Sequence, residues 1–150
     1  MSLSNAAETA LLNLIFANVD WANIGDAAGL QNSAAAGVFY IGLHTADPGE
    51  AGDQTTNECA YTSYARQSVA RSAAGFTVAG NNVSNAAAVT FPAATGATPE
   101  TVTHFSIGTD VSGAGNLLAS GAISAPAGGL VVNVGIIPSF AIGELDTNLD

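Results

Sequence analysis

Short apolar runs recur along the chain from Gly37 onward, and glycine, proline or asparagine residues separate them. Runs of this length between turn-forming residues are typical of β-strands. We predict strands within the following segments: 38–43, 64–71, 76–79, 83–91, 102–107, 117–124, 130–134 and 136–142. Because no helical pattern stands between them, these strands predict an all-β fold, a β-sandwich or jelly-roll-like domain over residues 37–145.

Residues 1–30 have a helical pattern instead and are predicted to form an N-terminal helical arm. Asn5, with Glu8 three residues later, is a variant of the capping box that begins many helices. The apolar arc of this helix is wide, so it must pack either on its own domain or on a neighbouring subunit. The candidate interface residues of the arm are Leu11, Leu14, Ile15 and Trp21.

The charge of the chain excludes several classes of partner. Twelve acidic residues stand against two basic ones, and lysine is absent. Nucleic-acid binding and attachment to anionic lipid both need clusters of lysine or arginine, so neither is expected. Only 9% of the residues are charged, against about 25% in an average soluble protein. The surface must therefore be largely neutral, which favours contact with other proteins, while residues 146–150 form an acidic tail.

The two basic residues, Arg66 and Arg71, are further interface candidates. A guanidinium group binds a carboxylate in a two-pronged geometry, and acidic partners are plentiful in this chain. We expect Arg66 to anchor a loop within the fold or to bind a neighbouring subunit. An ordinary exposed arginine with a weak ion pair is the alternative.

Reactive groups are sparse. The single cysteine, Cys59, excludes an internal disulfide and a multi-cysteine zinc site. Its spacing from His44 and His104 matches no known nucleophile–base pattern, so we expect a buried, unreactive thiol. At the end of a predicted strand, His44 would either bind a metal beside Asp47 or hydrogen-bond a loop carbonyl, and we favour the second. No nucleophile elbow, phosphate-binding loop or dinucleotide motif occurs, which predicts a protein that is not an enzyme.

A polar loop between the first two predicted strands holds several carboxylates. Its acidic residues could bind calcium, which prefers oxygen ligands on loops. The spacing of an EF-hand is missing, however, and a solvated acidic loop is the favoured interpretation. We therefore expect no bound metal and no cofactor. We also expect no secretion signal at residues 1–16 and, since no apolar run reaches about 18 residues, no membrane span.

Several separated segments resemble a group of small virion proteins of tailed bacteriophages. They are LHTADPG at 43–49, YARQ at 64–67, an N…VxFP stretch at 85–92, VTHFSI at 102–107, GNLLASG at 115–121 and GIIPSFAIGEL at 135–145. The resemblance implies a β-sandwich virion component without catalytic residues. Similar proteins are described as tail-fibre-like or act as cement on the capsid exterior.

Three functions follow from these observations. The first is a capsid decoration or cement protein that binds the major capsid protein and copies of itself without covalent bonds. The second is a component of the tail fibre or tail tip that recognises a host receptor, with loops 47–58 and 110–116 as its recognition surface. The third is a glycan-binding module or hydrolase. We favour the first, in a homo-oligomer that is assembled in the host cytoplasm and located in the virion.

Overall fold

The computed structural model describes residues 2–149 and contains one helix and eleven short strands among them. Their bounds are α1 Asn5–Phe16, β1 Val38–His44, β2 Gln67–Ala70, β3 Phe76–Ala79, β4 Asn82–Asn85, β5 Val89–Thr90, β6 Glu100–Val102, β7 His104–Gly108, β8 Leu117–Ala122, β9 Leu130–Val132, β10 Ser139–Phe140 and β11 Asp146–Asn148. The prediction of an all-β fold with an N-terminal helix is confirmed. Within the described residues, no helix is long and apolar enough to cross a bilayer.

The chain divides into two compact units. The first comprises residues Met1–Val38, Val69–Ala87 and Ile142–Asp150, of which Met1 and Asp150 lie outside the described residues. The second comprises Phe39–Ser68 and Ala88–Ala141.

In the first unit, α1 begins one residue earlier than the capping box predicted. Ser4 is the N-cap, and its hydroxyl accepts a hydrogen bond from the backbone N–H of Ala7 at 3.3 Å. The predicted cap, Asn5, is already helical. A serine hydroxyl satisfies one of the free N–H groups at the start of a helix, and the chain offers this serine just before Asn5.

The helix packs against a three-stranded sheet of order β11-β4-β3. Leu12 and Phe16 are its buried residues, and the ring of Phe16 lies 5.3 Å from that of Phe76 on β3. Of the segment 146–150, residues Asp146–Asn148 form β11 and pair with β4. The apolar face of α1 is therefore used, at least in part, within its own unit.

In the second unit, β1 and β7 are the central strands of a four-stranded sheet of order β2-β1-β7-β8. They are antiparallel, with Leu43 opposite Phe105 and His44 opposite His104. β1 matches the predicted strand, and its last four residues are buried, as a strand covered on both faces requires. The other large buried apolar residues of this unit are Ile41, Tyr61, Val89, Phe91, Val102, Ile107, Val132 and Phe140.

Three predicted strands are much shorter than the sequence indicated. The segment 83–91 is divided between β4 and β5, which belong to different sheets. The segment 64–71 contributes only β2, since the N–H of Tyr64 closes a turn with the carbonyl of Tyr61 at 2.8 Å. The segment 136–142 contributes only β10. A turn precedes it, in which the N–H of Ile136 binds the carbonyl of Asn133 at 3.0 Å and Gly135 has a φ of 83°. Only glycine adopts such a φ without strain.

Candidate interaction site

Two loops of the second unit form the candidate site. Loop A comprises residues 45–58 and follows β1, and loop B comprises residues 109–116 and joins β7 to β8. The N–H of Thr109 binds the carbonyl of Asn116 at 3.1 Å, and the N–H of Asn116 binds the Thr109 hydroxyl at 2.9 Å, which closes loop B at its base. These two loops largely coincide with the recognition surface that the sequence suggested for a fibre protein.

Arg66 joins the two loops from within. Its Nε and Nη2 donate to the two carboxylate oxygens of Glu58 at 2.6 and 2.7 Å. In loop B, Nη1 donates to the carbonyl of Asp110 at 2.9 Å and Nη2 to that of Gly113 at 2.8 Å. Nη2 also donates to the carbonyl of Gln54 in loop A at 3.0 Å. Nη2 has two N–H groups for its three acceptors, so one of these N–H groups is shared between two oxygens, while Nε and Nη1 donate once each. A lysine ammonium group, with three N–H groups at one point, could not span these positions.

Gln54 is the second connection between the loops, and it is completely buried. Its Oε1 accepts from the N–H of Asp110 at 2.8 Å, and its Nε2 donates to the carbonyl of Asp110 at 3.3 Å. Its own N–H binds the carbonyl of Ala114 at 2.8 Å. Gly108 and Gly115 make room for it, because a Cβ atom at either position would clash with the Gln54 side chain. Sequence reasoning missed Gln54.

Glu58 is held from a second side by Tyr64. The Tyr64 hydroxyl donates to Oε1 of Glu58 at 2.9 Å and accepts from the N–H of Leu43 at 2.9 Å. Burial raises the pKa of the Tyr64 phenol, and the hydrogen bond to Glu58 raises the pKa of Arg66. The phenol therefore stays a neutral donor and the guanidinium stays charged.

His44, the last residue of β1, holds loop A close to its end, at Thr56. Its Nδ1 lies 2.8 Å from the carbonyl oxygen of Thr56, and its Nε2 lies 2.7 Å from the hydroxyl of Ser106. A carbonyl only accepts, so Nδ1 is the protonated nitrogen and Nε2 accepts from Ser106. Burial lowers the pKa of His44, which favours this neutral form. The predicted hydrogen bond to a loop carbonyl is confirmed.

The contact between His44 and Ser106 has the distance of a nucleophile–base pair, but neither side chain is exposed to solvent at all. A substrate carbonyl could not approach the Ser106 hydroxyl without opening the sheet. Cys59 is equally enclosed, at 3% exposure, and burial raises its pKa to about 12. It is a protonated thiol at neutral pH, and the predicted burial of this cysteine is confirmed.

The carboxylates of loop A organise the loop itself. The Asp53 carboxylate accepts from the N–H and hydroxyl of Thr55 at 2.8 and 2.6 Å, and these hydrogen bonds lower its pKa. Asp47 accepts from the N–H of Gly49 at 2.9 Å. Among residues 2–149, no three histidine, cysteine or acidic side chains come together in an arrangement that could hold a metal ion.

The arginine of the first unit, Arg71, caps the end of α1. It donates to the carbonyls of Leu14 and Ile15 at 2.5 Å each, to Asn18 Oδ1 at 2.6 Å and to the Ser33 hydroxyl at 3.0 Å. The last carbonyls of a helix have no partner within it, and a cation there also opposes the negative end of the helix dipole.

The remaining candidates of the N-terminal arm are half-buried in the first unit. Leu11, Leu14 and Ile15 keep part of their side chains exposed on α1. Trp21 is also half-buried, and its backbone exchanges two hydrogen bonds of 2.9 Å with Leu30. Part of each of these four side chains is therefore accessible to a neighbour.

An aliphatic surface on the second unit escaped the sequence analysis. Val131, Val134, Ile136 and Ile137 are 48%, 59%, 39% and 56% exposed, and we call residues 131–137 the aliphatic segment. The sequence predicted strands over 130–134 and 136–142 and did not indicate which of their side chains would be exposed. A signal was nevertheless present, since no charged residue stands between Asp110 and Glu144.

Comparison with known proteins places the chain in a phage context. The model of one family, described as "Podophage GP4 fiber I protein gp80", matches residues 2–148. A search of curated proteins found no significant match.

Proposed function

We propose the role of this chain from one premise, namely that it belongs to the podophage GP4 fiber I protein gp80 family. It is a phage structural protein, and we propose that it is a subunit of a virion fibre that works by binding other proteins. The match over residues 2–148 is the observation that carries the proposal, because it spans both compact units.

The construction of loops A and B supports this role. Binding surfaces lose less conformational entropy on association when they are already ordered. Arg66 and Gln54 tie the backbones of the two loops together, and His44 ties loop A to the sheet. Both loops nevertheless present exposed residues, among them Asp47, Glu50 and Val111. They suit a fibre that recognises a partner or receptor through fixed loops.

The aliphatic segment supports contact with further virion subunits. Exposed valine and isoleucine side chains are unfavourable in water. Fully burying one of them stabilises a complex by about 1.5–3 kcal/mol. The stretch 111–143 contains no charged residue, and the charged residue that pairs beside it, Glu100 opposite Val132, is bound by the N–H groups of Ala60 and Tyr61. A subunit with a net charge of −10 can approach a copy of itself with least repulsion through such a neutral surface. We therefore propose self-association in the assembled particle.

We also propose that the protein is not an enzyme and needs no cofactor. The enclosed His44 and Ser106 side chains and the protonated thiol of Cys59 support this proposal. The lack of lysine, together with the internal hydrogen bonds of both arginines, supports a function without nucleic acid or membrane binding.

A capsid decoration protein, which the sequence favoured, would use the same neutral surface against the major capsid protein. The family description names a fiber, so the fibre role is the better supported of the two. The two roles differ in where the chain lies on the particle.

Gold-labelled antibodies against the purified chain, applied to intact particles, test this location. Labelling of fibres supports the proposal. Even labelling of the head surface would replace it with the decoration role, and particles whose protein content lacks the chain would contradict both.

A further inference from the structure

Among the described residues, no further strand lies beside β8, which is an edge of the four-stranded sheet. It pairs with β7 on one side and lies last in the order β2-β1-β7-β8. The N–H of Ile123, just beyond β8, binds the carbonyl of Thr103 at 2.8 Å. Hydrogen-bonding direction alternates along a strand, so the backbone groups of Gly121 face β7. Those of Ser120 and Ala122 therefore face away from the sheet.

This edge has only part of the usual protection against pairing. Natural edge strands commonly carry lysine, proline, inward-pointing charges or a β-bulge, or are covered by another element. The sequence of β8, LLASGA, contains none of these residues, and Leu118 is 41% exposed. The register with β7 shifts beside Leu118, but the pairing is regular from Ala119 to Ala122. An extended segment of another chain could therefore add a strand beside it.

A groove of about 360 Å³ runs along the edge at the first four residues of β8. One wall is formed by Leu117, Leu118, Ala119 and Ser120, and the other by the start of loop A, with Asp47, Gly49 and Glu50. Asp47 and Glu50 are both exposed. The groove thus combines unpaired backbone groups and an apolar wall with two carboxylates.

We propose that this groove binds an extended segment of a different virion protein, which pairs its backbone with β8 and places lysine or arginine beside Asp47 and Glu50. This inference rests on the proposed function in one respect, because it assumes that the partner is a protein of the virion. Alternate side chains of the segment would lie on the apolar wall.

The charge of the chain argues against a second copy as the occupant. It has no lysine, and its arginines are committed: Arg66 to Glu58 and Arg71 to the carbonyls at the end of α1. A second copy could offer Asp47 and Glu50 neither kind of side chain. The basic residues must come from another protein.

Peptides of 15 residues that tile all proteins of the virion, this chain included, are the probes. The purified full chain is applied to them, and the peptides that it binds are then titrated in solution. Three variants are compared with the wild type: Asp47→Asn with Glu50→Gln, Ser120→Pro, and the matched control Glu8→Gln on α1. The asparagine keeps the acceptor for the N–H of Gly49.

We expect the bound peptides to be extended and basic. The charge variant should bind them about five- to tenfold more weakly, since two exposed ion pairs are lost. Ser120→Pro removes one outward N–H without removing a bond to β7, and should weaken binding further. Glu8→Gln should bind like the wild type. In isotope-edited NMR, the amide signals of residues 117–120 should shift on binding.

Other results would overturn the inference. These are bound peptides that come from this chain itself, bound peptides that lack basic residues, no bound peptide at all, or binding that the charge variant leaves unchanged. The charge variant keeps the proposal testable even if Ser120→Pro fails to fold. None of these outcomes depends on where antibodies label the particle, so failure of the fibre role would be recognised separately.

Discussion

The guanidinium of Arg66 and the carboxylate of Glu58 form a two-pronged ion pair that is almost removed from solvent. Their paired atoms lie 2.6 and 2.7 Å apart, and the two side chains are 2% and 17% exposed. The guanidinium also holds three backbone carbonyls from loops A and B. Because one side chain serves both loops, its loss should affect both of them together.

We predict that Arg66→Met lowers the free energy of unfolding by about 3 kcal/mol, because it leaves the Glu58 carboxylate without its cation. Arg66→Lys should recover only part of this loss, since an ammonium group cannot reach the carboxylate and the carbonyls of both loops together. Urea denaturation followed by circular dichroism, to which the strands of both units contribute, measures the change.

The double variant with Glu58→Gln is the control for that experiment. If the pair acts as a unit, removing both charges should cost less than the sum of the two single losses. Additive losses, or a loss below about 1 kcal/mol in Arg66→Met, would contradict this account of the pair.

Substitutions at two glycines of loop B distinguish the effect of a steric conflict with Gln54 from the effect of backbone strain. Gly113 and Gly115 both have positive φ, at 78° and 50°. A Cβ atom at Gly113 would meet nothing within 4 Å, whereas one at Gly115 would clash with Gln54. We predict that Gly113→Ala costs about 1 kcal/mol of unfolding free energy from strain alone. Gly115→Ala should cost about 1–3 kcal/mol more, from the steric conflict.

Amide hydrogen exchange gives a second measurement of these variants. Gly115→Ala should accelerate exchange at the N–H groups of Asp110 and Gln54, which bond between the loops. Gly113→Ala should leave those two amides nearly as protected as in the wild type. Equal effects of the two substitutions would show that Gln54 does not fill the space between the loops.

The third prediction concerns pH. Burial lowers the pKa of His44 below its ordinary value of 6.5, so the unfolded chain takes up a proton that the folded chain resists. This titration of His44 therefore leaves the stability level between about pH 7 and 8 and lowers it as the pH drops below 6.5, by at most about 1.4 kcal/mol per pH unit. Urea denaturation at several pH values between 5 and 8 measures this slope.

His44→Gln should remove most of the slope between pH 5 and 6.5, although it also lowers stability at every pH. His104→Gln is the matched control, since His104 lies opposite His44 on β7 and is only half-buried. Because the charge of His104 contributes to lowering the pKa of His44, this variant should keep a slope of the same sign that is slightly reduced. A slope that survives in His44→Gln would assign the pH dependence to other groups.

The fourth prediction concerns the thiol of Cys59. A pKa of about 12, against the ordinary 9.0, lowers the thiolate fraction roughly 1,000-fold. We predict that Ellman's reagent at pH 8 labels the native chain at least 100-fold more slowly than the chain in urea. Ala60→Cys in a Cys59→Ala background, at an exposed position, should react rapidly and serves as the control. Fast labelling of native Cys59 would contradict its enclosure.

How far the sequence predicted this structure depended on whether the signal was local. The strand β1 and the environment of His44 were predictable, because an apolar run and the polar loop after it are adjacent in sequence. The role of Gln54 was not, since a glutamine in a polar loop carries no sign of burial. The residues that indicate its burial are Gly108 and Gly115, which leave room for the Gln54 side chain. Their role can be inferred only once the pairing of β7 with β8 is known.

The binding partners of the two arginines show a second limit of prediction from the sequence. The scarcity of basic residues predicted that each arginine would be paired, and the ion pair of Arg66 with Glu58 confirms this for one of them. Arg71 binds mainly carbonyls of α1 and not carboxylates. Every residue has a backbone carbonyl, so composition could not point to these partners.

The aliphatic segment supports the last prediction. Runs of valine and isoleucine carry the same sequence signal whether they face a core or a partner protein, which is why the exposure of residues 131–137 could not be predicted. Val134 and Ile137 are more than half exposed, so Val134→Ser with Ile137→Ser should change the unfolding free energy of the isolated chain by less than about 1 kcal/mol. The same double variant should enter particles poorly, because the free energy of burying these side chains is lost only on assembly.

Incorporation can be measured by complementing a phage that lacks the gene with the variant and quantifying the chain in purified particles. Ile142→Ser is the matched control, because Ile142 is 69% exposed and lies outside both loops and the aliphatic segment. It should enter particles at the level of the wild type. If the double variant is incorporated normally, the aliphatic segment is not an assembly surface. If its unfolding free energy falls by several kcal/mol, these side chains stabilise the isolated fold instead.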